Sequence, residues 1–195
     1  MSRMQSRTAI SLLLINTLML AVGRATADTA NAGCLKQGDC VGVFYVTKVA
    51  GAEGDGVEPG EDLCYRCRYG SRPMVMVFAR ETGGNVPELL DRIDDAVVAN
   101  EDARLKGLMT LIGEDAAKLK EDAGEIARKV EVKKVPVVIA KDTRTGPLNY
   151  RVPTDVAVTI VIAQDSQVVN TYLYAADKID VSTVMSEVQQ MLNLL

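Results

Sequence analysis

Two cysteines three positions apart, Cys64 and Cys67 in the stretch LCYRCRYGSR, are the residues of this chain best equipped to do chemistry. A gap of two residues lets the thiols close a tight ring, the arrangement used in disulfide exchange. Arg66, Arg68 and Arg72 bring nearby positive charge, which lowers a thiol pKa and raises the thiolate fraction. The same spacing also suits a bracing disulfide, either within the pair or to the other two cysteines, Cys34 and Cys40. A zinc held by four thiolates is a third arrangement, made less fitting by the wide Cys34–Cys40 spacing. Four cysteines admit three full pairings, and their spacing does not choose among them.

Composition removes most competing chemistry. The 195 residues include no histidine and no tryptophan. A Ser-His-Asp or Cys-His triad, a histidine-ligated zinc, copper or haem site and a Cys-x-x-Cys-His haem attachment are all excluded. No cofactor and no metal are expected. The remaining constellations are weak. Asp91, Asp94 and Asp95 read as acids on a solvated helix face. Arg80 and Glu81 stand at a strand's C-terminal end, where open α/β sheets place ligands. Gly83 and Gly84 precede a helix start, and a flexible connection is the simpler reading of them.

The first 27 residues read as an export signal. Arg3 and Arg7 form a positive n-region, residues 9–23 a largely apolar run, and Ala25-Thr26-Ala27 a small-x-small cleavage pattern. Fifteen residues ended by Arg24 are short for a membrane span. Ala32-Gly33-Cys34 resembles the end of a lipoprotein box, but Cys34 lies far beyond the apolar run and Asn31 replaces the usual apolar residue. Cleavage after Ala27 removes three arginines and no acid, so the formal charge moves from −4 to −7. An acidic mature chain without a basic stripe argues against nucleic acid or anionic lipid as partner. The expected location is periplasmic or extracellular, where disulfides persist, with protein thiols and disulfides, or an unidentified protein, as partners.

The elements that must position the cysteines follow from pattern. Residues 41–51 alternate as a strand, and AGAEGDGVEPGED (50–62) is a turn-rich loop. MVMVFAR (74–80) is a short, fully buried strand. Asn85-Val86-Pro87-Glu88 opens a helix with Leu89, Leu90, Ile93, Val97 and Val98 on its apolar face. Residues 105–113 are a strand and 114–130 a helix, with Glu114/Lys118 and Glu125/Lys129 as i,i+4 pairs. Residues 135–140 are a strand, 156–163 and 168–175 a hairpin, and a last helix runs from about Asp180. This order calls for a mixed sheet with helices on both faces.

Three stretches, in order, resemble the thioredoxin-like superfamily and its redoxin or peroxiredoxin-like branch. VGVFYVTKVAG resembles that branch's F-x-x-x-x-x-x-G opening hairpin, and GSRPMVMVFAR its G-x-x-V-V-x-V-F core strand. VPVVIAKDTRTGPLNYRV with VTIVIAQDSQVV resembles its P-x-x-x-x-D…Y-x-V…T-x-x-I-D-x-x-G-x-V run. The resemblance implies an α/β thioredoxin-like fold: a mixed central sheet flanked by helices, with an N-terminal hairpin extension. It divides the chain into a signal peptide (1–27), a cysteine-containing segment with the hairpin (28–70) and a core (71–195) that forms one domain with 40–70. It also implies a cis-proline before the hairpin strand, at Pro153 or, less fittingly, Pro136.

Against that family the chain departs at one place. The reactive cysteine there follows the core strand, at a helix N-terminus where dipole and amides stabilise a thiolate. Here residues 80–86 read Arg-Glu-Thr-Gly-Gly-Asn-Val. The resemblance therefore implies no peroxidase reaction at that site, and leaves thiol–disulfide exchange at Cys64/Cys67 or a catalytically silent binding scaffold. The Cys pair precedes the core strand, which puts it roughly 20 Å from the family's site at about 3.3 Å per residue.

Overall fold

The computed structural model describes residues 34–194, so the expected signal segment, its cleavage site and the lipoprotein alternative's Ala32-Gly33 lie outside the described residues. The chain runs β1 (Val46–Ala50), β2 (Asp62–Leu63), α1 (Tyr65–Tyr69), β3 (Met74–Ala79), α2 (Val86–Ala99), β4 (Lys106–Leu111), α3 (Ala116–Val130), β5 (Val137–Ala140), a 3-10 turn (Leu148–Tyr150), β6 (Val158–Gln164), β7 (Gln167–Tyr174) and α4 (Val181–Leu192). One seven-stranded sheet results, in the order β2-β1-β5-β4-β3-β6-β7.

The connections explain its mixed character. Helices α2 and α3 are long enough to cross over the sheet, so β3, β4 and β5 are parallel. The remaining pairs are antiparallel: β6 with β7 and β1 with β2 across short connections, and β3 with β6 and β1 with β5 between strands distant in sequence. The β6–β7 turn places Asp165 and Ser166 at φ 51° and 66°, the two left-handed positions that match the strands' own twist.

Every residue of β3 is buried, so its alternate side chains feed two cores. Val75, Val77 and Ala79 face a cluster built from α2, α3 and α4. Met74, Met76 and Phe78 face a second cluster with Phe44, Tyr65, Tyr69 and Tyr150. The expected helices on both faces are thus unequal. All three long helices share one face, and the other is covered by one-turn α1, the 3-10 turn and the N-terminal segment.

That segment is fastened to the hairpin. The Gly38 amide donates to the Val168 carbonyl (2.8 Å), Val168 to Asp39 (2.9 Å) and Val41 to Ser166 (2.9 Å). An Asp39–Arg151 ion pair (2.9 Å) adds a second tie.

The elements depart from expectation where tertiary partners decide. β1 starts at Val46 because only from there does β5 offer a pairing partner. α3 begins after Asp115, whose carboxylate accepts from the Ala117 and Lys118 amides. The ion pair on that helix is Lys118–Asp122 (2.9 Å) rather than Glu114–Lys118, because Asp115 caps and Glu114 lies before the helix. Asp94 is buried, not solvated: its carboxylate accepts from the backbone amides of Lys133, Lys134 and Val135.

Candidate functional site

Cys64 and Cys67 form a disulfide, with their Cα atoms 5.2 Å apart. Both belong to α1: Cys64 is its N-cap, and its Sγ accepts from the Cys67 amide at 3.0 Å. Cys64 is 7% exposed, whereas Cys67 is open to solvent. One cysteine of the pair is therefore exposed and the other buried.

A five-residue helix has little stability of its own, so α1 is held by tertiary contacts. Tyr65 donates its hydroxyl to Asp55 (2.5 Å) and Tyr69 donates to the Gly107 carbonyl (2.9 Å). The two rings lie 5.7 Å apart. Arg66 is buried, with Nε on the Val41 carbonyl (3.2 Å) and Nη1 on that of Gly70 (2.8 Å). Both tyrosine hydroxyls resist ionisation because burial raises their pKa, and Asp55 adds to the effect.

Beneath α1 lies a buried lysine. The Lys48 ammonium, 3% exposed, donates to the carbonyls of Ala52 (3.1 Å) and Val57 (2.8 Å) and to Asp55 Oδ1 (2.8 Å). All three of its protons are satisfied, as a buried ammonium requires. Burial works to raise the Asp55 pKa. Hydrogen bonds from Lys48, Tyr65 and the Val57 amide outweigh it and hold the carboxyl below its ordinary value.

The arginines expected to act on the thiols are otherwise employed. Arg66 is locked onto carbonyls, Arg68 donates to the Asp55 carbonyl (2.7 Å) and Arg72 to that of Arg68 (3.0 Å). The group that does contact a sulfur is the Cys67 amide. The N-cap signal that could have revealed it is hard to read in a sequence, since cysteine is not among the usual caps.

Cys34 and Cys40 carry free thiols, so the expected cross-link to them is not formed. Cys34 is buried, and that burial pushes its thiol pKa up; Cys40 sits on an exposed bridge to Gln167. The four-thiolate arrangement is not assembled either. Two of the sulfurs are bonded to each other, and among the described residues no three Cys, Asp or Glu side chains converge as metal ligands would.

The end of β3 where the related fold keeps its cysteine is built without one. Arg80 lies there, its Nε on the Pro153 carbonyl (3.2 Å) and Nη1 on that of Arg144 (2.9 Å), while Nη2 is buried without a partner. Gly84, at φ 57°, lets the chain pass against the Ala176 carbonyl, which a Cβ would approach to 2.5 Å. Pro153 is not a cis-proline, nor is Pro136: all described peptide bonds are trans. The 3-10 turn and left-handed Arg151 (φ 49°) deliver the chain to β6 with its ordinary geometry.

No family model matches the chain. No curated protein matches it. Solved structures do. Mycobacterium tuberculosis AhpC superposes with a TM-score of 0.61 at 14% identity, over 81% of this chain and 98% of its own. A secreted Mycobacterium tuberculosis disulfide oxidoreductase homologous to Escherichia coli DsbE gives 0.55 at 11% identity, over 75% and 95%. Arabidopsis thaliana ScoI with copper bound gives 0.52 at 12% identity, over 80% and 100%. At such identities the likeness is one of fold, and it extends over three quarters or more of each chain. The chain has a thioredoxin-like fold of the kind shared by redoxins and peroxiredoxins.

Proposed function

We propose that this protein is an exported thiol–disulfide exchange protein acting through Cys64 and Cys67. The observation that carries the reading is the asymmetry of the pair: an exposed Cys67 bonded to a buried Cys64 whose sulfur already accepts a backbone N–H.

The asymmetry assigns roles. A substrate thiolate attacks the exposed Cys67 Sγ, the Cys64–Cys67 bond breaks, and Cys64 leaves as a thiolate stabilised by the Cys67 amide. A second substrate thiolate then attacks the substrate sulfur of the mixed disulfide. Cys67 is released as a thiolate and the substrate disulfide forms. Two electrons pass from the substrate dithiol to the protein pair. In the reverse direction Cys67 attacks and Cys64 resolves. Export and the signal at 1–27 belong to the same proposal, since an oxidising compartment keeps the pair loaded. N-terminal sequencing of the mature protein should begin at Asp28; a chain retaining Met1, or one lipidated at Cys34, contradicts it.

The deciding experiment is a glutathione titration read by thiol alkylation, with melting curves of both redox forms. An exchange pair titrates above about −270 mV and leaves the melting temperature little changed, because a loop this short restrains the unfolded chain very little. A couple below about −300 mV that resists glutathione supports the second reading. That reading is a catalytically silent scaffold, favoured by the cysteine-free end of β3 and by the pair's place at that strand's other end.

A further inference from the structure

A cavity of about 650 Å³ opens beside α1, walled by four stretches distant in sequence: loop 52–55, the end of α1 with the turn after it, the α2–β4 turn and residues 133–134. Its wall carries six cations, Arg68, Arg72, Arg104, Lys106, Lys133 and Lys134. In a chain of net charge −4 this is a local reversal of sign. The carboxylates on the same wall are Glu53, Asp55 and Glu101, and two of them are already engaged. Asp55 is bound by Lys48, which lies outside the cavity wall, and Glu101 by Lys134 (3.0 Å). Among the described residues no carboxylate pairs with Arg68, Arg72, Arg104, Lys106 or Lys133.

The convergence is built into the fold rather than left to mobile side chains. Asp94 fixes the backbone of Lys133 and Lys134. The Lys106 amide is tied to the Pro73 carbonyl (2.9 Å), and the Arg104 amide to that of Glu101 (3.0 Å). Arg104 itself holds a left-handed backbone (φ 59°), a conformation that costs a residue with a side chain. Arg68 and Arg72 each donate to a carbonyl, which orients the guanidinium and leaves its other donors for a ligand. The repulsion is felt inside the group: burial lowers the Lys106 pKa first, and the charges of Arg72, Lys134 and Arg104 lower it further against the opposing charge of Glu101.

Like charges gathered in a concave, partly desolvated wall focus the field and leave it uncompensated until an anion enters. We propose that this cavity is a binding site for a small anion carrying two or more phosphoryl groups. Three arginines set at different points of the rim favour phosphate, whose oxygens accept the planar fork of a guanidinium in pairs. The volume falls in the range of small-molecule sites, and a ligand with more than one charged group can meet cations from more than one of the stretches that wall the cavity. The proposal does not depend on the exchange reading, since no step of it uses the disulfide.

The test is calorimetric titration of the full mature chain with inorganic pyrophosphate at about 0.02 M and about 0.15 M ionic strength, with citrate as a second anion. Pyrophosphate should bind one to one, more weakly at the higher salt, and raise the melting temperature. The double variant Arg104→Gln/Lys106→Gln should weaken binding at least about tenfold. Lys133→Gln/Lys134→Gln, on exposed positions where folding is not at stake, should weaken it too, and Lys120→Gln on α3 should leave it unchanged. Absence of saturable binding up to about 10 mM, or equal binding by the variants, overturns the site. Citrate binding as tightly as pyrophosphate overturns the phosphate assignment.

Discussion

The Oδ1 atom of Asp94 lies 2.7 Å from the backbone nitrogen of Lys134, forty residues further along the chain. This carboxylate on α2 accepts from three consecutive amides and so holds the approach to β5. It also fixes two of the six cations of the basic cavity.

Removing that acceptor leaves three amides without their partner, one of them buried. Asp94→Ala should therefore cost about 3 kcal/mol and Asp94→Asn, which keeps one acceptor oxygen, about half of that. Urea unfolding measures both. A loss below about 0.5 kcal/mol for the alanine variant would mean that the loop does not need the carboxylate.

The two disulfide cysteines should not be equivalent. With Cys64 as the resolving sulfur, Cys64→Ser should accumulate a mixed disulfide at Cys67 when its thiolate attacks a disulfide substrate and displaces one substrate thiolate, visible by mass spectrometry. Cys67→Ser should trap far less, because the remaining sulfur is largely covered. Equal trapping by both variants would remove the assignment of roles.

Acid should loosen the support of α1. The Asp55 carboxyl titrates below its ordinary value in the folded chain, so its contribution is fully present above the unfolded carboxylate pKa of about 3.9 and is lost as pH falls through the lower folded value. Melting temperature measured from neutral pH downward should drop in that acid window. Asp55→Asn should be less stable at neutral pH and show a smaller part of this drop. A variant with the same acid profile as the parent would place the sensitivity elsewhere.

Gly84→Ala should destabilise by about 2 kcal/mol, from the left-handed backbone and the Ala176 carbonyl standing 2.5 Å from any Cβ. Gly124→Ala, in α3 with open space around it, should be neutral or stabilising by up to about 1 kcal/mol. Thermal unfolding of the two side by side separates the local clash from a general effect of glycine replacement.

Peroxide reduction should stay at background, because residues 80–86 offer no sulfur. Thiol-dependent turnover persisting in the Cys64→Ser/Cys67→Ser variant would show that another thiol, at Cys34 or Cys40, does the work.

What could be read in the sequence was whatever repeats with a period. The continuous apolar run 74–79, the helical faces of α2 and α4 and the Asp165-Ser166 turn are local patterns, and each stands where its pattern put it, apart from Val98, which α2 leaves exposed because Val97 already fills the core-facing position beside it. Asp94 was not legible. Beside Asp91 and Asp95 it looks like one more surface acid, and only the amides at 133–135 reveal its burial. Helix α1 escaped for a similar reason, since YRCRY carries no apolar stripe and is fixed by hydroxyls reaching Asp55 and Gly107. The Cys64–Cys67 spacing announced the pair, while its one-sided exposure depends on packing beneath the helix. The basic cavity draws on four segments, and their convergence is a property of the topology.

The tie between residues 38–41 and the β6–β7 hairpin also has a bearing on the order in which thiols find partners. Contacts separated by well over a hundred residues form late, after the loop between them has closed. The surroundings of Cys34, which include Arg151 and Asp155, are therefore completed only when nearly the whole chain has emerged. Cys64 and Cys67 meet across three peptide links from the moment both exist. In an oxidising compartment the first pairing is then decided by kinetics, and Cys34 withdraws from the competition when the hairpin clasps the segment that carries it.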